Sequence, residues 1–187
     1  MALHDDYIRK LTYDDYVLIP DDGQRHEIID GEHYVSAAPF IRHQRIARKL
    51  VQKLGPPVDE HGLGEVFLAP CDLVFSRHDV VQPDLLFISK ERLRIVTEKN
   101  VQGAPDLVIE ILSESTRRLD EDVKFDLYER SGVLEYWILD PVQRTARIYR
   151  LKDGCLRLVA ELSAAARDAV RTPLLPGIEV PLVEIFE

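Results

Sequence analysis

Residues 102–141 read QGAPDLVIEILSESTRRLDEDVKFDLYERSGVLEYWILDP, a strand, a helix and a second strand. From Leu107 to Leu112 the run is apolar but for one residue, the pattern of a strand covered on both faces. The exception is Glu110. An ionised carboxylate in such a place is costly unless a cation, a metal or hydrogen-bond donors stand beside it. Side chains alternate along a strand, so Asp106, Val108, Glu110 and Leu112 point one way and Leu107, Ile109 and Ile111 the other. Ser113, Ser115 and Thr116 then offer hydroxyls to the free N–H groups of a helix start, and Gly132 is a good stop. Between them Arg117, Asp120, Lys124 and Tyr128 line one helical stripe. Leu119, Val123 and Leu127 form the adjoining apolar arc, which puts Lys124 at the border of the buried face. Tyr136 to Leu139 is the expected second strand, turned by Asp140-Pro141.

At 187 residues the chain is expected to form a single domain, 1–187, with 142–187 as a hairpin and tail of the same domain. It is 45% hydrophobic and 30% charged, with no low-complexity tract. No run approaches a membrane span, and the polar start MALHDDYIRK does not read as a signal peptide, so a cytoplasmic protein with no membrane partner is expected. Cys71 and Cys155 are too few and too far apart for a zinc site and are expected as core or free thiols. The net charge of −9 argues against a general nucleic-acid coat protein. It leaves room for a local basic patch, which acts within a Debye length of ~10 Å whatever the total.

Thr12 begins a short helix that Pro20 ends. Glu27–Ile29 and His33–Ala37 read as two strands joined at Asp30-Gly31, a favoured hairpin dipeptide. Glu27 is thus a second acid in a strand, either an edge-strand surface charge or part of a site. The helix expected from Pro39 to Leu54 carries Arg42, Arg45, Arg48, Lys49 and Lys53 and no acid. On its wheel Arg42, Arg45, Lys49 and Lys53 cluster, while Ile46, Leu50 and Leu54 take the next arc. This basic stripe is either a solvated face or a phosphate-facing surface. His43 falls among the apolar positions, as a satisfied core residue or as a lining of an active site. Further on, Gly64–Ala69, Asp72–Phe75 and Gln82–Ile88 read as strands, Lys90–Arg94 as a helical turn, and Arg144–Leu151 with Leu156–Leu162 as a hairpin about Asp153-Gly154. The tail closes on Pro176-Gly177 and a final turn, Pro181–Phe186.

Two carboxylates converging from adjacent strands suit a hard divalent cation such as Mg²⁺, which prefers oxygen ligands and keeps several waters. Asp84, at the mouth of the Gln82–Ile88 strand, and Glu110 are the candidate metal ligands. A lysine beside them, Lys124, can orient or deprotonate a water, or neutralise charge developing on a phosphate.

Pro83-Asp84 followed by a strand bearing Glu110 resembles the PD-(D/E)XK nuclease superfamily. More narrowly, the 102–141 stretch is similar to the Uma-two family of restriction-endonuclease-like proteins, and Glu27–Glu32, His43 and QPDLLFIS fit it as well. The resemblance implies an α/β (α+β) restriction-endonuclease-like core, a mixed central β-sheet flanked by helices. It also implies Mg²⁺- or Mn²⁺-dependent endonuclease hydrolysis of phosphodiester bonds in nucleic acid, DNA in the first instance. Asp84 matches the motif aspartate and Glu110 the acid of the (D/E)XK element. Leu112 stands where the motif lysine belongs; in this family that lysine is displaced onto the following helix, here Lys124. Glu114 is a second departure, at a position where relatives often carry proline. The implied catalytic set is Asp84, Glu110, Lys124, Glu27 and His43, with Asp84 and Glu110 on the metal and Arg42, Arg45, Lys49 and Lys53 on nucleic acid. A narrow groove built across a homodimer is one assembly the charge distribution suggests. The alternative is a catalytically inactive nuclease-fold binding or assembly module, in which the same charges form a buried salt-bridge network.

Overall fold

The computed structural model describes residues 9–187; most of the polar start read above, residues 1–8, lies outside the described residues. The chain opens with α1 (Tyr13–Tyr16), capped by the Thr12 hydroxyl and the Asp15 carboxylate in a reciprocal box. A hairpin of β1 (Arg25–Ile29) and β2 (Glu32–Ser36) follows. Its turn residues, Asp30 and Gly31, both have positive φ (54° and 80°), as the sequence pair predicts.

Helix α2 (Ile41–Glu60) is longer than its apolar periodicity suggests. It continues past Leu54 through Pro56 and Pro57, burying Val58 one turn beyond the expected end. Then come β3 (Gly64–Leu68), β4 (Leu73–Ser76), β5 (Asp79–Val81) and β6 (Leu85–Ser89). A 3-10 turn over Lys90–Ile95 leads to β7 (Val101–Gln102) and β8 (Leu107–Ile111). A helical segment follows whose first part is a π-turn, Leu119–Val123, and whose second is α3 (Lys124–Ser131). Gly132, at φ 81°, ends it in the left-handed conformation, the role its position in RSGV suggests. The chain closes with β9 (Glu135–Asp140), β10 (Thr145–Lys152), β11 (Cys155–Ser163), β12 (Ala169–Arg171), β13 (Glu179–Pro181) and α4 (Leu182–Phe186).

The strands form a mixed α+β architecture. A six-stranded sheet has the order β11-β10-β9-β8-β6-β3, antiparallel except for the β8–β9 pair; a five-stranded sheet has the order β2-β1-β5-β4-β7. The alternation of β8 divides the core in two. Leu107, Ile109 and Ile111 pack with Ile46, Leu50 and Leu54 of α2 and with Leu182 and Ile185 of α4. Val108 and Leu112 pack on the other side, with Leu127 and Tyr128 of α3 and with Ile29, Leu73 and Val81 of the smaller sheet. The tail does more than the sequence indicates, because β12, β13 and α4 close the first core. Cys71 and Cys155 are both free and half-buried. No described helix is long and apolar enough to cross a membrane.

Candidate active site

The register of β6 on β8 explains why two acids meet. Leu85 pairs with Ile109 and Leu86 with Val108, so one step earlier Asp84 comes level with Glu110. The Asp84 backbone N–H donates to Glu110 Oε2 at 3.3 Å, and the Ile111 N–H donates to Asp84 Oδ2 at 2.8 Å. Both carboxylates are buried, Asp84 at 4% and Glu110 at 1% exposure. Like charges placed opposite one another in a sheet repel, so the surroundings must supply countercharge.

Two cations do so from different elements. Lys124, buried at the start of α3, places Nζ 3.1 Å from Glu110 Oε1, 2.9 Å from Glu27 Oε1 and 3.4 Å from Asp120 Oδ1. Arg25, at the start of β1, sets both terminal guanidinium nitrogens 3.0 Å from Asp84 Oδ1. His43 Nε2 completes Asp84 at 2.9 Å from Oδ2, while its Nδ1 is buried with no partner among the described residues. The Tyr128 hydroxyl donates to Glu110 Oε1 at 2.7 Å, and the Gln82 N–H donates to Glu27 Oε1 at 2.8 Å.

The structure therefore brings Asp84, Glu110, Lys124, Glu27 and His43 around one cavity of about 120 Å³, with Ser113, Ser115 and Thr116 at its wall. Glu27 is fully buried and ion-paired, so its reading as an edge-strand surface charge fails. His43 faces an acid rather than a satisfied core. Of the expected phosphate-facing cations, Arg42, Arg45 and Lys49 have no acidic partner among the described residues, whereas Lys53 is paired with Glu184 of α4. Glu184 lies too far along the chain for helical spacing to foresee that pair.

Three participants go beyond the sequence reading. Asp120 and Tyr128 sit one helical turn before and after Lys124, and their shared stripe was the available signal. Arg25 reaches Asp84 across 59 positions and gave no local signal.

Burial decides the protonation of this cluster. Desolvation pushes the Glu110 carboxyl up to about 8 against the pull of Lys124, with repulsion from Asp120, Asp84 and Glu27 adding to it. Asp120 rises to about 6, again chiefly through burial. Burial also presses on Asp84, but the His43 hydrogen bond and the Arg25 charge outweigh it and hold Asp84 below the usual aspartate range. Lys124 would lose its proton to desolvation, yet Glu110, Glu27 and Asp120 more than compensate and raise its value.

Asp84, Glu110, Glu27 and Asp120 bring four negative charges against the two of Arg25 and Lys124. That imbalance is made up by protons, and it is also the deficit a divalent cation would fill. The donor set is all oxygen, which suits a hard ion. Among the described residues no three His, Cys, Asp or Glu side chains stand ready as metal ligands. The fit is thus one of two carboxylates with water making up the remainder, as Mg²⁺ commonly accepts. Asp84 already accepts from Arg25, His43 and Ile111, so an ion there requires one donor to withdraw.

A mixed sheet between helices, with acids level on adjacent strands, is the restriction-endonuclease-like fold. The chain belongs to the Uma2 family, whose model, described as "Putative restriction endonuclease", matches residues 13–183. A crystal structure from Anabaena variabilis ATCC 29413, described as a "putative nuclease", superposes with a TM-score of 0.77 at 20% identity, covering 94% of this chain and 97% of that one. No curated protein matches the chain in sequence.

Proposed function

We propose that the protein is a metal-dependent endonuclease that hydrolyses phosphodiester bonds of nucleic acid, DNA in the first instance. The observation that carries this is the convergence of Asp84 and Glu110, from adjacent strands, with the buried Lys124 ammonium on one cavity. Asp84 and Glu110 would hold Mg²⁺ or Mn²⁺. Bound there, the ion would supply Lewis acidity toward a phosphoryl oxygen and acidify a coordinated water.

The chain's own groups do the rest. Lys124 stays charged, so it acts as a fixed donor that orients water or meets charge developing on the phosphate. Tyr128 and Lys124 together fix one oxygen of Glu110 and leave the other directed at Asp84. Glu27 and Asp120 hold the ammonium in place. His43 lines the same cavity with Nε2 bonded to Asp84, which leaves Nδ1 as the ring nitrogen without a partner among the described residues. The start of α2 adds attraction for phosphate: no acid lies in its first turn, and no side chain caps it. Arg42, Arg45 and Lys49 continue that field along the helix.

A second reading is favoured by the directness of the Lys124–Glu110 contact and the saturation of Asp84: a nuclease-fold binding module whose charges serve only each other. Purified protein incubated with plasmid and with single-stranded DNA, in Mg²⁺ or Mn²⁺, separates the two. The nuclease reading expects cleavage that chelator stops and that Glu110→Gln and Lys124→Ala each reduce at least 100-fold. Variants that cut as well as wild type would remove this site assignment, and no cleavage under any condition would favour the module.

A further inference from the structure

Beside the cavity lies a second cleft that the reaction scheme does not use. It measures about 370 Å³, within the range of small-molecule sites, and its walls are Phe40, Leu112, Pro141 and Val142. The two spaces share Phe40, His43 and Ser113, so they are neighbouring halves of one depression. Phe40 is 78% exposed at the mouth of α2, and among the described residues its ring pairs with no other aromatic. Val142 in the same cleft is 76% exposed, so the ring belongs to an apolar patch beside a polar site, the kind of surface that marks a binding groove.

The charges around the ring narrow the answer. Arg42 faces the cleft with no acidic partner among the described residues, and Arg117 is fixed at its wall by Asp140 at 2.7 Å and Glu121 at 3.3 Å. An exposed aromatic ring and the Arg42 guanidinium in one cleft, beside a cavity suited to a phosphate, match a nucleotide: a flat base with an anionic link next to it. Glu114 also borders the cleft, and a carboxylate there can accept from the amino group of a base. In an intact duplex both faces of each base are already stacked, so this ring is of use only to a base that is unpaired or swung out.

We propose that Phe40 is a stacking platform for an unpaired base, so that the substrate is single-stranded or locally opened nucleic acid. This rests on the phosphodiesterase reading of the adjoining cavity. Binding is measured without metal, in EDTA, so that it reads separately from cleavage. The probes are a fluorescent 12-nucleotide single strand, the blunt duplex of the same sequence, and an abasic strand of equal charge. Wild type should favour the single strand over both others. Phe40→Ala should weaken single-strand binding by roughly 5- to 150-fold, the range for losing one base–aromatic stack, and change duplex binding less than twofold. Phe40→Trp should restore affinity, and its added fluorescence should be quenched by the single strand but not by the abasic one; Trp137 is buried and supplies a constant background.

Equal loss on strand and duplex, no loss at all, or abasic binding as tight as normal binding would overturn the stacking platform. If wild type still cleaves in that event, the nuclease reading survives alone. If stacking holds while no cleavage occurs with Mg²⁺ or Mn²⁺, the nuclease reading is the one that falls.

Discussion

Replacing Lys124 with methionine keeps most of the side-chain volume and removes the charge. Nζ is the shared partner of Glu27, Glu110 and Asp120, all buried. Taking one member from a buried ionic cluster costs about 3–5 kcal/mol where the orphaned acids must stay charged. They need not stay charged at low pH. Glu110 and Asp120 already have folded-state values of about 8 and about 6, above the ordinary 4.5 and 3.8, and without the ammonium both move higher. A carboxyl with a raised folded value binds more protons folded than unfolded, so its effect on stability worsens as pH rises. The variant should therefore part from wild type as pH passes about 6 and then about 8. One further pH unit on each acid, at ~1.4 kcal/mol per unit, widens the gap by nearly ~3 kcal/mol. Urea unfolding in EDTA at pH 5 and pH 9, for both proteins, measures this. At pH 5 the loss should be near ~1–3 kcal/mol, the cost of unmade buried hydrogen bonds. At pH 9 it should be at least ~2 kcal/mol larger. A loss that is the same at both values refutes the charge reasoning and leaves only a packing role for Lys124.

The same protonation gives a metal-linked effect. Titration of Mn²⁺ at pH 7 in buffers of different ionisation enthalpy should show release of about one proton, because Glu110 is held mostly neutral until an ion arrives; Glu110→Gln should abolish it, and heats independent of buffer would count against a metal at Glu110. Along α2, the double variant Arg45→Gln with Lys49→Gln should flatten the salt dependence of DNA binding by about 1.5, close to one phosphate for each residue. Lys53→Gln should leave that slope nearly unchanged, since its ammonium is engaged by Glu184.

How much of this was legible depended on how local the signal was. The β8 run, the Gly132 stop and the Asp30-Gly31 turn are written in neighbouring residues, and the structure has all three. Glu110 announced itself because apolar neighbours on both sides leave a charge no bland explanation. The Asp84–Glu110 pairing was legible as two acids on neighbouring strands, and the resemblance supported it, but its geometry depends on the register between two strands that lie apart in the chain. Arg25 was invisible for the same reason: β1 belongs to the other sheet, and nothing near Arg25 names Asp84 as its partner. The reach of α2 past Gly55-Pro56-Pro57 ran against local rules. Each proline lacks an N–H and disfavours helix at the residue before it, so the stop was expected at Leu54; burial of Val58 against the first core offsets that preference.

The position of the lysine shows how the fold and the site constrain each other. Two residues after Glu110 the chain has Leu112, which shares its face of the strand and is buried in the second core with Val108 and Leu127. An ammonium at that place would have to leave the apolar cluster to find Glu110. Lys124 approaches instead from a helix, where its long apolar stem lies along α3 while Nζ reaches the carboxylates. The π-turn over Leu119–Val123 ends at this residue, with the Lys124 N–H bonded to the Leu119 carbonyl, and the i,i+4 spacing puts Asp120 and Lys124 on one face. The displaced lysine thus serves the acids from the helix while the core keeps Leu112. Moving the cation back, by Leu112→Lys with Lys124→Leu, should fail on both counts: the new lysine enters the apolar cluster, and Glu27 and Asp120 lose the partner that only the helix can bring. Thermal unfolding should show that double variant at least as destabilised as Lys124→Met at pH 9, and a wild-type melting temperature would mean that the helix position has no structural advantage.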